Sequence, residues 1–184
     1  MRVYTQYPIG EYEDVSPVNE DDLDLFDEFD GTPRAENWTP VEMEIITVDS
    51  ETGATLQRAD VPWFMGNLVL RDKAIEAASP ILAPLGELLP LECATAKLVC
   101  FNATQVLDAL DEDRSEIVRF PSSGRIMAIE RYAFRADAIP ERAAFRIPQQ
   151  QTGDVYFTEP VVEDLRSLGL TGLDFKLVWD SAAS

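Results

Sequence analysis

Several stretches of the chain carry a readable alternation of apolar and polar positions. Arg2 to Tyr7 strings together β-forming residues and predicts a short strand. Val41, Met43 and Ile45 alternate with Glu42 and Glu44, the signature of a half-buried strand. Ile126 to Phe134 and Ala143 to Ile147 predict two further strands, separated by a turn around Pro140. Leu23, Leu25, Phe26 and Phe29 instead recur at spacings near three and four residues, which predicts one or two helical turns with an apolar stripe. Asn19 is placed to cap those turns, and Glu20, Asp21 and Asp22 fall near the positive end of the helix dipole. Trp63 and Phe64 follow Pro62 in a stretch without a clear period.

A weak internal similarity appears at a shift of 87 residues, where Leu68-Val69-Leu70, Asp72 to Glu76 and Glu87 to Leu91 align with Val155-Tyr156-Phe157, Glu159 to Glu163 and Asp174 to Val178. Both copies read as strand, helix, strand. In the second, Thr158 suits an N-cap, Pro160 the first helical turn and Gly169 the left-handed position past the helix end. In the first, Pro80 is expected to break the helix and start a second short one after Ser79. Duplication and mere commonness of the unit both explain the likeness. The expected class is α+β: a mixed or antiparallel sheet with a few short helices, including the two similar strand-helix-strand units.

Charge changes this picture most. The 184 residues carry 34 Asp plus Glu against 15 Lys plus Arg, a net charge of −19. Nucleic-acid affinity comes from cations that displace condensed counterions, so direct nucleic-acid binding is not expected, and an anionic membrane surface would repel the chain. Cationic partners or plain solubility are the remaining explanations. From Met1 to Glu36 eleven carboxylates face two arginines, whereas Arg114 to Arg146 holds seven arginines against four carboxylates. The division expected from this is an acidic, partly helical N-terminal segment, 1–37, packed on a main α+β domain, 38–184. The acidic segment could also fold over the arginine-rich one and neutralise it.

Candidate chemistry is sparse. Histidine is absent, which removes Ser-His-Asp and Cys-His schemes, His-ligated zinc and the commonest general base. Cys93 and Cys100, seven residues apart, fit neither a redox pair nor a paired zinc site and read as reduced, buried thiols. Phe26 to Asn37 has a glycine at the sixth position of a calcium loop but lacks ligands at the first and twelfth. No phosphate-binding or nucleophile-elbow pattern occurs, and Lys73, Lys97 and Lys176 lie outside any catalytic signature. No catalytic residue, metal or cofactor is expected. The N-terminus lacks a basic start followed by an apolar run, and nothing approaches the roughly 20 apolar residues of a membrane span. The expected location is the cytoplasm.

Four places carry a family resemblance: Val106 to Asp111 followed by Ser115-Glu116; Phe145-Arg146-Ile147; Val155 to Thr158; and Gly169 to Phe175 running on to Trp179. In order and spacing this part of the chain, roughly Leu68 to Trp179, resembles immunity family eleven of bacterial polymorphic toxin systems. The resemblance implies neutralisation of one cognate protein toxin by tight, stoichiometric binding without turnover. The residues before Trp38 match no pattern of that family. A basic toxin surface would suit the acidic chain, and the residues expected to meet it are Asp21, Asp22, Asp24, Asp27, Glu28 and Asp30, with Trp38, Trp63 and Phe64 as apolar contacts. Leu25, Phe26 and Phe29 either anchor the segment or enter the toxin, anchoring being preferred. The rival readings are an acidic scaffold without a toxin partner and a carboxylate-dependent hydrolase that reverses a toxin-made modification.

Overall fold

A computed structural model of the protein describes residues 1–150 and 152–183. Strand β1 (Arg2–Tyr7) opens the chain with the boundaries its alternation predicts. There follow β2 (Asp14–Pro17), a 3-10 turn (Glu20–Asp22) that runs into α1 (Leu23–Asp27), β3 (Met43–Ile46), β4 (Trp63–Phe64) and β5 (Asn67–Arg71). Helix α2 (Lys73–Leu82), β6 (Gly86–Leu91) and β7 (Leu98–Ala103) complete the first half. The second half holds β8 (Gln105–Val106), a hairpin of β9 (Glu116–Arg119) and β10 (Ile126–Arg131), β11 (Ala144–Arg146), β12 (Tyr156–Thr158), α3 (Glu159–Ser167) and β13 (Asp174–Asp180). The fold is α+β.

Two large sheets result, one in the order β3-β2-β4-β5-β7-β6 and the other in the order β13-β1-β12-β11-β8. Setting β3 aside, they match strand for strand. The pairs β2-β4 and β8-β11 are parallel, and every later pair in both series is antiparallel. Each strand-helix-strand unit therefore brackets one antiparallel strand, β7 in the first sheet and β1 in the second. The 87-residue similarity is thus a repeat of topology as well as of pattern.

Alternation along these strands serves three cores. Leu68 and Leu70 of β5, Phe101 of β7, Tyr4 of β1 and Phe157 of β12 share a central core with Ala74, Ala78 and Leu82 of α2 and Val161, Val162 and Leu165 of α3. Val69 and Cys100 turn to the opposite face of the first sheet, where Phe26, Phe29, Val41 and Met43 cover them. Val3, Phe145 and Tyr156 turn to the opposite face of the second, covered by Leu110, Phe134 and Ile139. The loop after α3 is latched to the first half. The carboxylate of Asp60 accepts the Thr171 hydroxyl at 3.0 Å, and the Asp60 N–H donates to Thr171 Oγ1 at 2.9 Å. Gly172 sits at φ +80°, where a Cβ would come within 2.6 Å of the Val61 carbonyl oxygen.

Four expectations need correction. Helix α2 runs unbroken through Pro80, because that residue lies in the last turn and only one carbonyl, that of Glu76, loses its helical donor. Thr158 holds the N-cap position of α3, but its hydroxyl accepts the Ala143 N–H at 2.9 Å and so serves the sheet instead of the helix end. Cys100 is buried while Cys93 is half-buried. Most consequential, residues 1–37 are not one segment packed on a domain: β1 lies inside one sheet and β2 inside the other.

Leu165 is fully buried where both helices meet the central core. An unpaired charge there costs several kcal/mol, a large share of the roughly 5–15 kcal/mol that stabilises a typical domain. Leu165→Asp is expected to abolish cooperative thermal unfolding in circular dichroism while Leu165→Met retains it; a wild-type melt for the aspartate variant would contradict this packing.

Candidate functional site

The acidic stretch is built from its cap outward. The Asn19 side chain accepts the Asp21 N–H at 3.4 Å, and the 3-10 turn and α1 form one short helical run. Phe26 and Phe29 point inward, 3% and 1% exposed. The Phe26 ring stands edge-on to Phe64 at 4.7 Å and to Trp38 at 5.9 Å between centroids. The Trp38 Nε1–H donates to the Pro90 carbonyl at 2.8 Å, which pins the cluster to β6. Beyond α1 the chain turns at Gly31, φ +95°, where a Cβ would collide with Val106. The Asp30 carboxylate accepts the Thr32 N–H at 2.9 Å, and that bond holds its pKa below the ordinary value.

Glu87 on β6 fastens the next turn. Its carboxylate accepts the Arg34 N–H at 2.7 Å, the Ala35 N–H at 3.1 Å and the Asn102 side-chain amide at 3.0 Å. Burial alone would raise its pKa. The three donors outweigh that and hold it below the ordinary 4.5. Arg34 lies over the Phe29 ring at 5.4 Å, and its guanidinium is 3.8 Å from the Glu28 carboxylate.

This anchoring leaves a carboxylate-rich surface facing outward. Asp21, Asp24, Asp27 and Glu28 are exposed, and Asp22 and Asp30 are half-buried. Among the described residues no ion pair engages Asp21, Asp22, Asp24 or Asp27. Four arginines of the second half are occupied elsewhere: Arg119 with Glu112 at 2.6 Å, Arg131 with Glu116 at 2.8 Å, Arg135 with Asp108 at 3.0 Å and Arg142 with Asp164 at 2.7 Å. The mutual neutralisation open to the sequence is therefore not the arrangement adopted, although buried Arg146 shares a cavity of about 150 Å³ with Phe26 and Asp27. Beside α1 opens a cleft of about 390 Å³ lined by Leu25, Pro33 and Trp38, with Thr32, Arg34, Asn37 and Thr39 completing its wall. Leu25 is 40% exposed.

The nine residues expected at the site thus separate by role. The six acidic ones and Trp38 share the α1 region. Phe64, 2% exposed, is a core anchor beneath them, and Trp63 of β4 pairs with Leu68 of β5 outside that ring cluster. Arg34 had a sequence signal, as the one cation between Val3 and Asn37. Glu87 had none, because the two backbone N–H groups it holds, those of Arg34 and Ala35, lie more than fifty residues away.

The arrangement supplies exposed carboxylates as acceptors for cationic groups, next to an apolar recess. Among the described residues no three Cys, Asp or Glu groups are disposed to hold a metal ion, and no helix is long and apolar enough to cross a membrane. Compared with protein-family models and with curated proteins, the sequence gives no match.

The anchoring of this face predicts a pH signature. Because the Glu87 carboxyl is held below its ordinary value in the folded protein, its stabilising contribution is complete above about pH 4.5 and fades as pH falls through the folded value. Glu87→Gln is expected to lower unfolding free energy by roughly 1–2 kcal/mol near neutral pH, the scale of hydrogen bonds to a charged group. In urea titrations the gap to wild type should narrow as pH falls below about 4.5. A gap unchanged at acid pH would contradict it.

Proposed function

We propose that the protein neutralises a cognate bacterial toxin by direct, stoichiometric binding in the cytoplasm of the producing cell. The observation that carries this reading is the acidic surface of α1 and its preceding turn: exposed carboxylates without ion-pair partners, held on a platform of buried aromatic rings. A toxin that acts on nucleic acid carries a cationic cleft to meet phosphate. A fixed anionic surface on its inhibitor accelerates encounter with that cleft and covers it. The resemblance of Leu68 to Trp179 to immunity family eleven points the same way. The carboxylates that would set specificity lie outside the part carrying the resemblance, so they can vary with little effect on the shared strand-helix-strand units.

Occupancy predicts that toxin activity titrates to zero at a fixed molar ratio, with the protein recovered unchanged. Protection at strongly substoichiometric amounts would overturn the proposal. Each exposed ion pair contributes only about 0–1 kcal/mol, so single changes have little leverage. Asp21, Asp22, Asp24 and Asp27 changed together to Asn should slow association in stopped-flow mixing at low salt and flatten its salt dependence, with a smaller effect on dissociation.

A further inference from the structure

We infer that the Leu25–Trp38 cleft is the anchor slot for one large apolar side chain presented on a basic segment of the protein partner. The inference rests on the proposed reading of this face as the toxin-binding surface and adds the chemistry of what docks there. Residues three or four apart on a helical run are neighbours on its surface. Asp21, Leu25 and Glu28 therefore lie in one row, with Asp22 three positions before Leu25 beside them. An exposed leucine is thus bracketed by carboxylates on both sides along the helix. The recess next to it has a volume of about 390 Å³, room for an aliphatic or aromatic side chain.

Three features make this recess more than an incidental gap. Its walls are held before any ligand arrives. Trp38 is pinned by its bond to Pro90, and the Arg34–Ala35 turn is fastened by Glu87. Such pre-ordering removes part of the entropy cost of binding. The single charged residue in the wall, Arg34, already faces Glu28 and the Phe29 ring, and the unpaired carboxylates stand on the helical run that carries Leu25, beside the wall. Lastly, the composition matches the anatomy of protein interfaces, in which a small apolar centre is ringed by polar groups and the centre carries most of the energy. A purely cationic ligand would leave the recess empty, and a purely apolar one would leave the carboxylates unused. A segment with Leu, Met or Phe flanked by Lys or Arg uses both.

The test uses isotope-labelled full-length protein and two probes, an amphipathic helical peptide of leucine and lysine only and an oligolysine of equal charge. With the leucine–lysine peptide, the Leu25 methyl and Trp38 indole N–H resonances are expected to shift. Oligolysine should move backbone signals around residues 20–28 and leave those two in place. Leu25→Ser removes the apolar floor and Thr39→Trp fills the recess. Both positions are exposed, so both variants should melt like wild type, and each should weaken the leucine–lysine peptide about tenfold or more. Equal affinity for wild type and both variants would overturn the inference, as would shifts at exposed Phe120 and Met127 in place of Leu25. The product of the neighbouring coding sequence, tested as the toxin, separates the two levels of the argument. If it binds wild type and both variants alike, the cleft is not the anchor and neutralisation stands. If the peptide docks in the cleft and no neighbouring toxin binds, the anchor slot stands and neutralisation falls.

Discussion

The structure depends on a six-residue strand whose two partners come from the other end of the chain. β1 pairs with β12 along Val3 to Thr5 and with β13 along Arg2 to Tyr7, with one register shift between Val3 and Tyr4. Without it β13 has no neighbour, and β12, β11 and β8 are left as a three-stranded remnant. Its side chains also link two cores, Val3 outward under Trp179 and Tyr4 inward beside Phe175. The Met1 carbonyl accepts the Ser181 N–H at 2.9 Å, and Arg2 bridges Asp180 at 2.9 Å and Glu159 at 2.7 Å. Contacts this distant in sequence carry a loop-closure cost before they contribute anything.

The same closure explains how a sequence with two similar units builds two nearly equivalent sheets. In the first half the strand between the paired units, β7, follows β6 directly; in the second it is supplied by the N-terminus. What distinguishes the halves is the chain inserted between the first two strands of each series, which covers the sheet's outer face. Residues 18–62 contain thirteen carboxylates and two arginines, and residues 107–143 contain eight carboxylates and six arginines. Each cover is seated by a phenylalanine: Phe26 against Phe29, Trp38 and Phe64, and Phe134 against Tyr132, Phe145, Tyr156 and Trp179. The charge asymmetry of the molecule is therefore a difference between two covers on a shared frame.

Local features were readable from the sequence because local physics decides them. The limits of β1, the Asn19 cap, the Gly169 stop at φ +62° and Pro160 in the first turn of α3 all follow from neighbours within a few residues. Where distant partners decide, the reading failed. The boundary after residue 37 tracked charge, but pairing with β13 and β3 places β1 and β2 in different sheets whatever their flanking charge. The Leu98 to Ala103 strand carries an almost continuous apolar run, buried on both sides, so it shows none of the alternation that marks a half-exposed strand. Phe64 follows Pro62 without a period and reads as a partner contact, yet it is the ring on which Phe26 rests. Within the acidic stretch, spacing located the helix and left open which way each apolar residue would turn.

That orientation is where packing and recognition meet. Phe26 and Phe29 lie three apart and face inward, and their burial fixes the rotation of the helix about its axis. Once the rotation is fixed, Asp21 and Glu28 face outward, and Leu25, four positions before Phe29, is left at the edge of the buried stripe, 40% exposed. The apolar stripe thus does two jobs with different residues: two aromatics hold the helix to the first sheet, and one leucine is left at the surface with carboxylates on either side. A helix this short has no stability of its own, because nucleation outweighs the few hydrogen bonds it gains. Its shape is borrowed from the Phe26, Phe29, Trp38 and Phe64 cluster and from the Glu87 clamp. The order of the acidic surface is accordingly a property of the first sheet beneath it, and a change that loosens β6 would disorder the carboxylates without touching one of them.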